Sequence, residues 1–255
     1  MSEVVLSAIA ENIATITLNR PDQMNAISVE LGARLHDALR AAAERADVIV
    51  IRGSGGNFCA GGDFRELESL RAQGRAAMAP LFANFRAACD VIATLPVPVI
   101  CAVEGYAMAG GFELMQAADI VLIHESAVVA DTHSRFGQIP GGGGSQRLPR
   151  LVGRQRALAH ILTGDRLSAD EAVSWGLAYR KFAAVEFDTG VADFARRLAA
   201  KDRAALAKIK QLVHAGQRLP LVQGLDLEFE AVLDHLSGAT TGAGIAAFTT
   251  DHGSK

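Results

Sequence analysis

The residues best placed to do chemistry lie in two glycine turns, Ala60-Gly61-Gly62 and Ala109-Gly110-Gly111, the second followed at once by a carboxylate, Glu113. An unbroken apolar run from Val97 to Val103 leads into the second turn and reads as a strand buried on both faces. Phe112, Leu114, Met115 and Ala118 then recur at helical spacing, so the segment is strand, glycine turn, helix, with Glu113 in the helix's first turn. A helix that opens on glycines exposes N–H groups with no intrahelical partner, and its dipole favours negative charge there. Nothing bulky at Gly110 or Gly111 keeps a ligand from those groups. Two separate turns can each give one N–H to the same carbonyl oxygen. That geometry stabilises an enolate or tetrahedral oxyanion by about 2.7–4 kcal/mol per donor, and Glu113 would be the acid/base beside it. A tight turn whose carboxylate only balances the helix dipole has the same pattern.

Nucleotide motifs do not account for these glycines. Gly105 and Gly110 have P-loop spacing, but Gly111-Phe112 stands where Lys-Ser or Lys-Thr is required. Gly53-Ser54-Gly55 continues with Phe58 where the dinucleotide fingerprint has its third glycine. Metal-ligand spacings of the Cys-x-x-Cys or His-Glu-x-x-His kind do not occur, so no metal is expected. The three cysteines, Cys59, Cys89 and Cys101, have no paired spacing and suit reduced positions in a core. A net charge of -3 implies no basic face, which argues against nucleic acid as a partner. Glu3 and Glu11 interrupt the N-terminal stretch, unlike a signal peptide, and no run approaches the ~18 apolar residues of a membrane span. A cytoplasmic protein with no membrane partner is the expectation.

The elements that must position the two turns can be read in order. Residues 3–18 alternate as two strands, and a helix capped by Ser28 carries Leu31, Leu35, Leu39 and Ala42 on one face. A buried strand, Val48 to Ile51, feeds the loop that holds Gly61 and Gly62, and helices follow near 64–70 and 75–94. After the central strand, turn and helix come strands at 120–123 and 127–130. Beyond residue 145 no strand signal is strong, and helical patterns recur at 154–162, 168–175, 189–200, 203–214, 221–236 and 241–248. The chain of 255 residues, half of them hydrophobic, therefore reads as an α/β front with parallel pairing and an all-helical back third.

Five stretches together resemble the crotonase (enoyl-CoA hydratase/isomerase) superfamily nearly end to end: 19–27, with Asn19-Arg20-Pro21-Asp22; 58–63, with Ala60-Gly61-Gly62-Asp63; 98–113, with Gly105-Tyr106 and Ala109-Gly110-Gly111; 139–148, with Pro140-Gly141 and Gln146-Arg147-Leu148; and 172–177, with Trp175-Gly176-Leu177. The resemblance implies a spiral of ββα units over residues 1–190 and a helical C-terminal region, 191–255, that builds a homotrimer or a dimer of trimers. It implies an acyl-CoA thioester as substrate, as in fatty acid metabolism, with no cofactor beyond the coenzyme A of the substrate itself. The oxyanion amides map to Gly62 and Gly110, and the coenzyme A contacts to Ala60, Gly62, Asp63, Phe64 and Arg65, with Arg65 able to meet a phosphate. The tail, Ala247-Phe248 followed by Thr249-Thr250-Asp251-His252, weakens a basic contact usual in the family, which Lys255 could replace.

Family hydratases carry two glutamates. Glu113 fills the first position, and the second, seven residues before Pro140, is occupied by His133. Histidine near its ordinary pKa of ~6.5 can still activate water or protonate a carbon. Asp131 lies two residues away, and on an extended chain the two side chains would point the same way, orienting the ring and favouring imidazolium. The expected activity is a hydratase-like lyase that adds or removes water across the α,β double bond. Its rivals are a double-bond isomerase, a retro-Claisen C–C hydrolase using the Asp131–His133 pair, and a non-catalytic acyl-CoA-binding protein. The remaining histidines read as structural or solvated, and Arg147 as a tie between a helix start and the core.

Overall fold

The computed structural model describes residues 3–237. The expected helix at 241–248 and the tail contacts at Ala247, Phe248, His252 and Lys255 lie outside the described residues. The first two strands, β1 (Val5–Ala10) and β2 (Ile13–Leu18), form an antiparallel hairpin. Its turn residues Glu11 and Asn12 both adopt left-handed backbone, φ 51° and 60°, which suits a two-residue hairpin turn. Helix α1 (Val29–Arg45) follows, with Ser28 accepting a hydrogen bond from the Leu31 N–H at its N-cap. Next come β3 (Val48–Gly53), helices α2 (Phe64–Ala72) and α3 (Arg75–Ile92), β4 (Val99–Val103), β5 (Tyr106–Met108) and the site helix α4 (Gly110–Ala117). Then β6 (Ile120–His124), β7 (Val128–Ala130), α5 (Gly144–Val152), α6 (Arg154–Thr163), β8 (Leu167–Ser168), α7 (Ala169–Ser174), β9 (Arg180–Phe182) and α8 (Phe187–Ala199) complete the layered part.

Two sheets result. The larger has the order β1-β2-β3-β4-β6-β9, parallel from β2 onward, and the smaller has the order β5-β7-β8. The continuous apolar runs of β3 and β4 reflect burial on both faces. Ile49, Ile51, Val99, Cys101 and Val103 join the main core with α1 and α3. Their neighbours Val48, Val50, Ile100 and Ala102 face the other way and pack against Phe187, Val191 and Ala195 of α8.

Beyond the sheet, α9 (Arg203–Gly216) is pinned by polar contacts. Buried Lys210 donates to the Val97 carbonyl at 2.8 Å and pairs with Asp119 at 2.7 Å, and His214 meets the other Asp119 oxygen at 2.7 Å. Helix α10 (Leu221–Ser237) packs chiefly on α9 and leaves Leu221, Val222, Leu225, Phe229 and Leu233 exposed. No described helix is long and apolar enough to cross a membrane.

Sequence patterning misses three short strands, β5, β8 and β9. Each has two or three residues, too few for a period of two to register, and β9 is an edge strand that pairs only with β6. For α5 only a helix start near Arg147 is expected, and its extent is missed because it opens on Gly144 and carries Pro149, both signals of a break.

Candidate active site

Backbone hydrogen bonds clip the two glycine turns together. The Phe58 N–H donates to the Glu104 carbonyl at 2.8 Å, Cys59 N–H to Tyr106 at 2.9 Å, and Met108 N–H back to Cys59 at 2.9 Å. On the other side of the first turn, Ile27 N–H donates to Gly61 at 2.7 Å and Asp63 N–H to Ile27 at 2.9 Å, which passes over the amide of Gly62. Ala109 N–H donates to Ala130 at 2.9 Å, and Gly110 is the first residue of α4. Among the described residues, neither the Gly62 nor the Gly110 N–H meets an acceptor. A Cβ at Gly61 would stand 3.6 Å from the Gly110 nitrogen, so the turns touch. Glycine is needed at Gly111 because a Cβ there would lie 2.2 Å from the Cys59 carbonyl oxygen. Ala109 turns the chain into α4 at φ 46°, ψ -113°, a conformation otherwise left to glycine.

Glu113 is buried and fixed at one oxygen. Its Oε1 accepts from the amides of Gly142 and Gly144, each at 2.8 Å. Its Oε2 faces His133 Nε2 at 3.8 Å, too far for a direct hydrogen bond and suited to a water that bonds both from one side. Arg147 steadies the glycine loop, donating to the Gly142 carbonyl and to Asp90, both at 2.6 Å.

His133 and Asp131 meet as expected, by a different route. Thr132 between them has φ -97°, ψ 4°, so the chain is turned and not extended. The Asp131 carboxylate folds over the turn and accepts at one oxygen from both His133 Nδ1–H, at 2.7 Å, and the His133 backbone N–H, at 3.3 Å. That leaves Nε2 aimed at Glu113. Asp131 is fully buried, and its own N–H donates to His160 Nε2 at 3.1 Å. The sequence pattern alone gives His160 a structural or solvated place. It is 2% exposed and touches the site's framework. Its position three residues after buried Ala157 on α6 is the sequence signal that could have flagged it.

The environment pushes both acid/base groups upward. Burial raises the Glu113 carboxyl above the usual range, against the pull of the two amides and of His133. Burial works against a charged His133 ring, but the Asp131 hydrogen bond and charge outweigh it, so the ring holds its proton more tightly than free histidine. The raised His133 value favours an imidazolium able to act as acid, and the raised Glu113 value makes its carboxylate the stronger base when ionised.

The expected coenzyme A contacts sit beside the first turn. The Ala60 N–H donates to the Met24 carbonyl at 3.0 Å. The Asp63 carboxylate caps α2 through the Arg65 and Glu66 amides and pairs with Arg20 at 2.8 Å. Burial works against its ionisation, but Arg20 and those amides win and hold it below the usual range. Phe64 is half exposed, its ring 5.2 Å from that of Phe136, and Arg65 is exposed. Two clefts of about 430 and 610 Å³ lie elsewhere, one bounded by Gln116, Tyr179 and Phe194, the other by Leu95 and α9; neither includes Glu113 or His133.

Two unpartnered amides from clipped turns, with a buried acid/base pair alongside, define the class: a fold built to hold a carbonyl oxygen while a proton moves nearby. The chain belongs to the enoyl-CoA hydratase/isomerase family, whose model it matches over residues 8–252. It is 35% identical over 237 residues to the 1,2-epoxyphenylacetyl-CoA isomerase of Escherichia coli, covering 89% of this chain and 88% of that protein. It is 34% identical over 218 residues to the mitochondrial enoyl-CoA hydratase of Pongo abelii, covering 85% and 73%. Its fold matches the crystal structure of an enoyl-CoA hydratase from Polaromonas sp. JS666 with a TM-score of 0.93, at 33% identity and 97% coverage of each chain.

Proposed function

We propose that the protein hydrates α,β-unsaturated acyl-CoA thioesters. The Gly62 and Gly110 amides hold the thioester oxygen as it gains enolate charge. A water between Glu113 Oε2 and His133 Nε2 attacks the β-carbon, losing a proton to Glu113. The His133 imidazolium gives the α-carbon its proton, leaving neutral imidazole. Return of the proton from Glu113 to His133 across the gap restores the starting state, so the two charges cancel at the start and at the end. The observation that carries this reading is the 3.8 Å separation of Oε2 and Nε2, each on a group fixed at its far end. The hydratases among the relatives support it. The test is loss of enone absorbance from crotonyl-CoA by the wild-type protein and by His133→Ala. Hydration by the wild type and loss of it in His133→Ala are expected. Turnover that survives His133→Ala would point instead to a one-base isomerase.

The same reading places coenzyme A against Ala60, Gly62, Phe64 and Arg65, with the backbone of Asp63. We assign the apolar face of α10, with Ile209 and Val213 of α9, to contacts between copies in a trimer or dimer of trimers, since these large side chains are otherwise exposed. The three buried free cysteines suit a reducing, cytoplasmic setting. Light scattering on the full chain would give the mass, and a monomer would overturn the assembly.

A further inference from the structure

Asp131 is held from one side only. Its Oδ1 takes both hydrogen bonds from His133, and its Oδ2, also buried, meets no donor among the described residues. Nothing beyond His133 therefore grips the carboxylate itself, and its place is set through the backbone. Two contacts hold the peptide that leads into it: the Ala130 carbonyl accepts from the Ala109 N–H at 2.9 Å, and the Asp131 N–H donates to His160 Nε2 at 3.1 Å, the side-chain contact of the two. We infer that His160 is a positioning residue for the acid/base pair: by accepting the Asp131 amide proton it fixes the Asp131 carboxylate, which in turn fixes the tautomer and direction of the His133 ring. The consequence for turnover rests on the role proposed for His133; the effect on the His133 ring does not.

The chemistry is specific to one protonation state. An amide N–H can only donate, so His160 Nε2 must carry a lone pair and the ring proton must sit on Nδ1. The ring is clamped in that orientation between Phe112, with centroids 5.2 Å apart, and Trp175, at 5.9 Å. The charged groups facing it are the Asp131 and Asp165 carboxylates, which favour a proton, and Arg156, whose guanidinium lies 5.3 Å from the centroid of the Trp175 ring. Burial prevails over the carboxylates and keeps the ring neutral. Protonation of Nε2 would set two N–H groups against each other and leave the Asp131 peptide held at the Ala130 carbonyl alone, so low pH would loosen His133 without touching it.

The test uses the full chain and two variants. His160→Phe keeps a ring between Phe112 and Trp175 but has no acceptor; His160→Gln can offer its carbonyl oxygen. Imidazole titrations are read by NMR on histidine-labelled protein, with the His133 signal assigned by its loss in His133→Asn, alongside kcat and KM on crotonyl-CoA. In His160→Phe the His133 titration moves down toward that of free histidine, and kcat falls about tenfold with KM within about twofold, short of the ~100-fold cost of a 1 Å misplacement. His160→Gln recovers part of both. The inference is overturned if the His133 titration in folded His160→Phe equals the wild type, or if His160→Gln is as impaired as His160→Phe. Should His160→Phe fail to fold, Glu113→Gln decides, since it removes the carboxyl that titrates beside the ring: the His133 signal must show a second inflection as His160 protonates, and a single inflection refutes the coupling. A moved His133 titration in a protein that does not hydrate crotonyl-CoA would sink the proposed reaction and leave this inference standing.

Discussion

Glu113→Gln separates chemistry from fold at this site. Glutamine has the same shape, and its carbonyl oxygen can take both amides that Oε1 now takes, from Gly142 and Gly144 at 2.8 Å. Its amide nitrogen then stands where Oε2 stood, 3.8 Å from His133 Nε2. The anchor survives, while a proton acceptor and a charge are removed and an N–H₂ donor stands in their place. Loss of a general base costs about 10²–10⁴-fold in rate, or about 2.7–5.5 kcal/mol of barrier. Stability moves the other way. Burial raises the folded-state pKa of Glu113, so the ionised carboxylate costs stability at pH values above its unfolded pKa, and that cost disappears below it. Glutamine carries no such cost, so at neutral pH the variant should melt at the wild-type temperature or above it. Initial rates on crotonyl-CoA and a thermal melt at pH 7 read both quantities. A kcat within about threefold of wild type, or a melting temperature lowered by several degrees, would refute the reasoning.

Further consequences follow from the same geometry. The folded-state pKa of His133 is raised, so the stability of the Asp131–His133 pair is complete below the unfolded histidine value and is lost as pH rises through the folded one. The alkaline limb of kcat/KM should fall in that window, and Asp131→Asn should move the limb to lower pH in a pH–rate profile. Gly111→Ala drives a Cβ to 2.2 Å from the Cys59 carbonyl and should destabilise by about 1–3 kcal/mol while separating the two turns, seen as a lower melting temperature and lost hydration. Ala109→Gly relieves the φ 46°, ψ -113° backbone and should raise stability by about 1 kcal/mol in denaturant titration, with activity retained. Arg147→Met frees the Gly142 carbonyl and Asp90, and should lower kcat about tenfold with little change in melting at high salt, since the loop that holds Glu113 loosens while the core does not.

Much of the site was legible because its devices are local. A glycine turn after a buried strand, with a carboxylate three residues on, declares the Gly110 turn and Glu113 within a few residues, and the doubled glycine marks the Gly62 turn as well. The buried runs of β3 and β4 were equally plain, since burial on both faces leaves no polar interruption. What the sequence hid was long-range or very short. The bonds from Gly142 and Gly144 to Glu113 span 29 and 31 residues, and the Asp131 to His160 bond spans 29. No periodicity encodes such partners. The Asp131–His133 pairing was foreseen on an extended-chain argument, yet a turn at Thr132 produces it, because Asp side chains bond readily to the backbone two residues on. The sequence marks Arg147 as a tie between helix and core, and its bond to the Gly142 carbonyl shows that the tied part is the loop that holds Glu113.

The convergence of two amides on one oxygen is the centre of the account, and a crystal structure with butyryl-CoA bound, a saturated thioester that cannot be hydrated, tests it most directly. The thioester oxygen should lie about 2.7–3.1 Å from both the Gly62 and the Gly110 nitrogens, with His133 Nε2 over the α-carbon and Glu113 Oε2 on the side of the β-carbon. An oxygen held by one of these amides or by neither, or an acyl chain running away from Glu113, would contradict it.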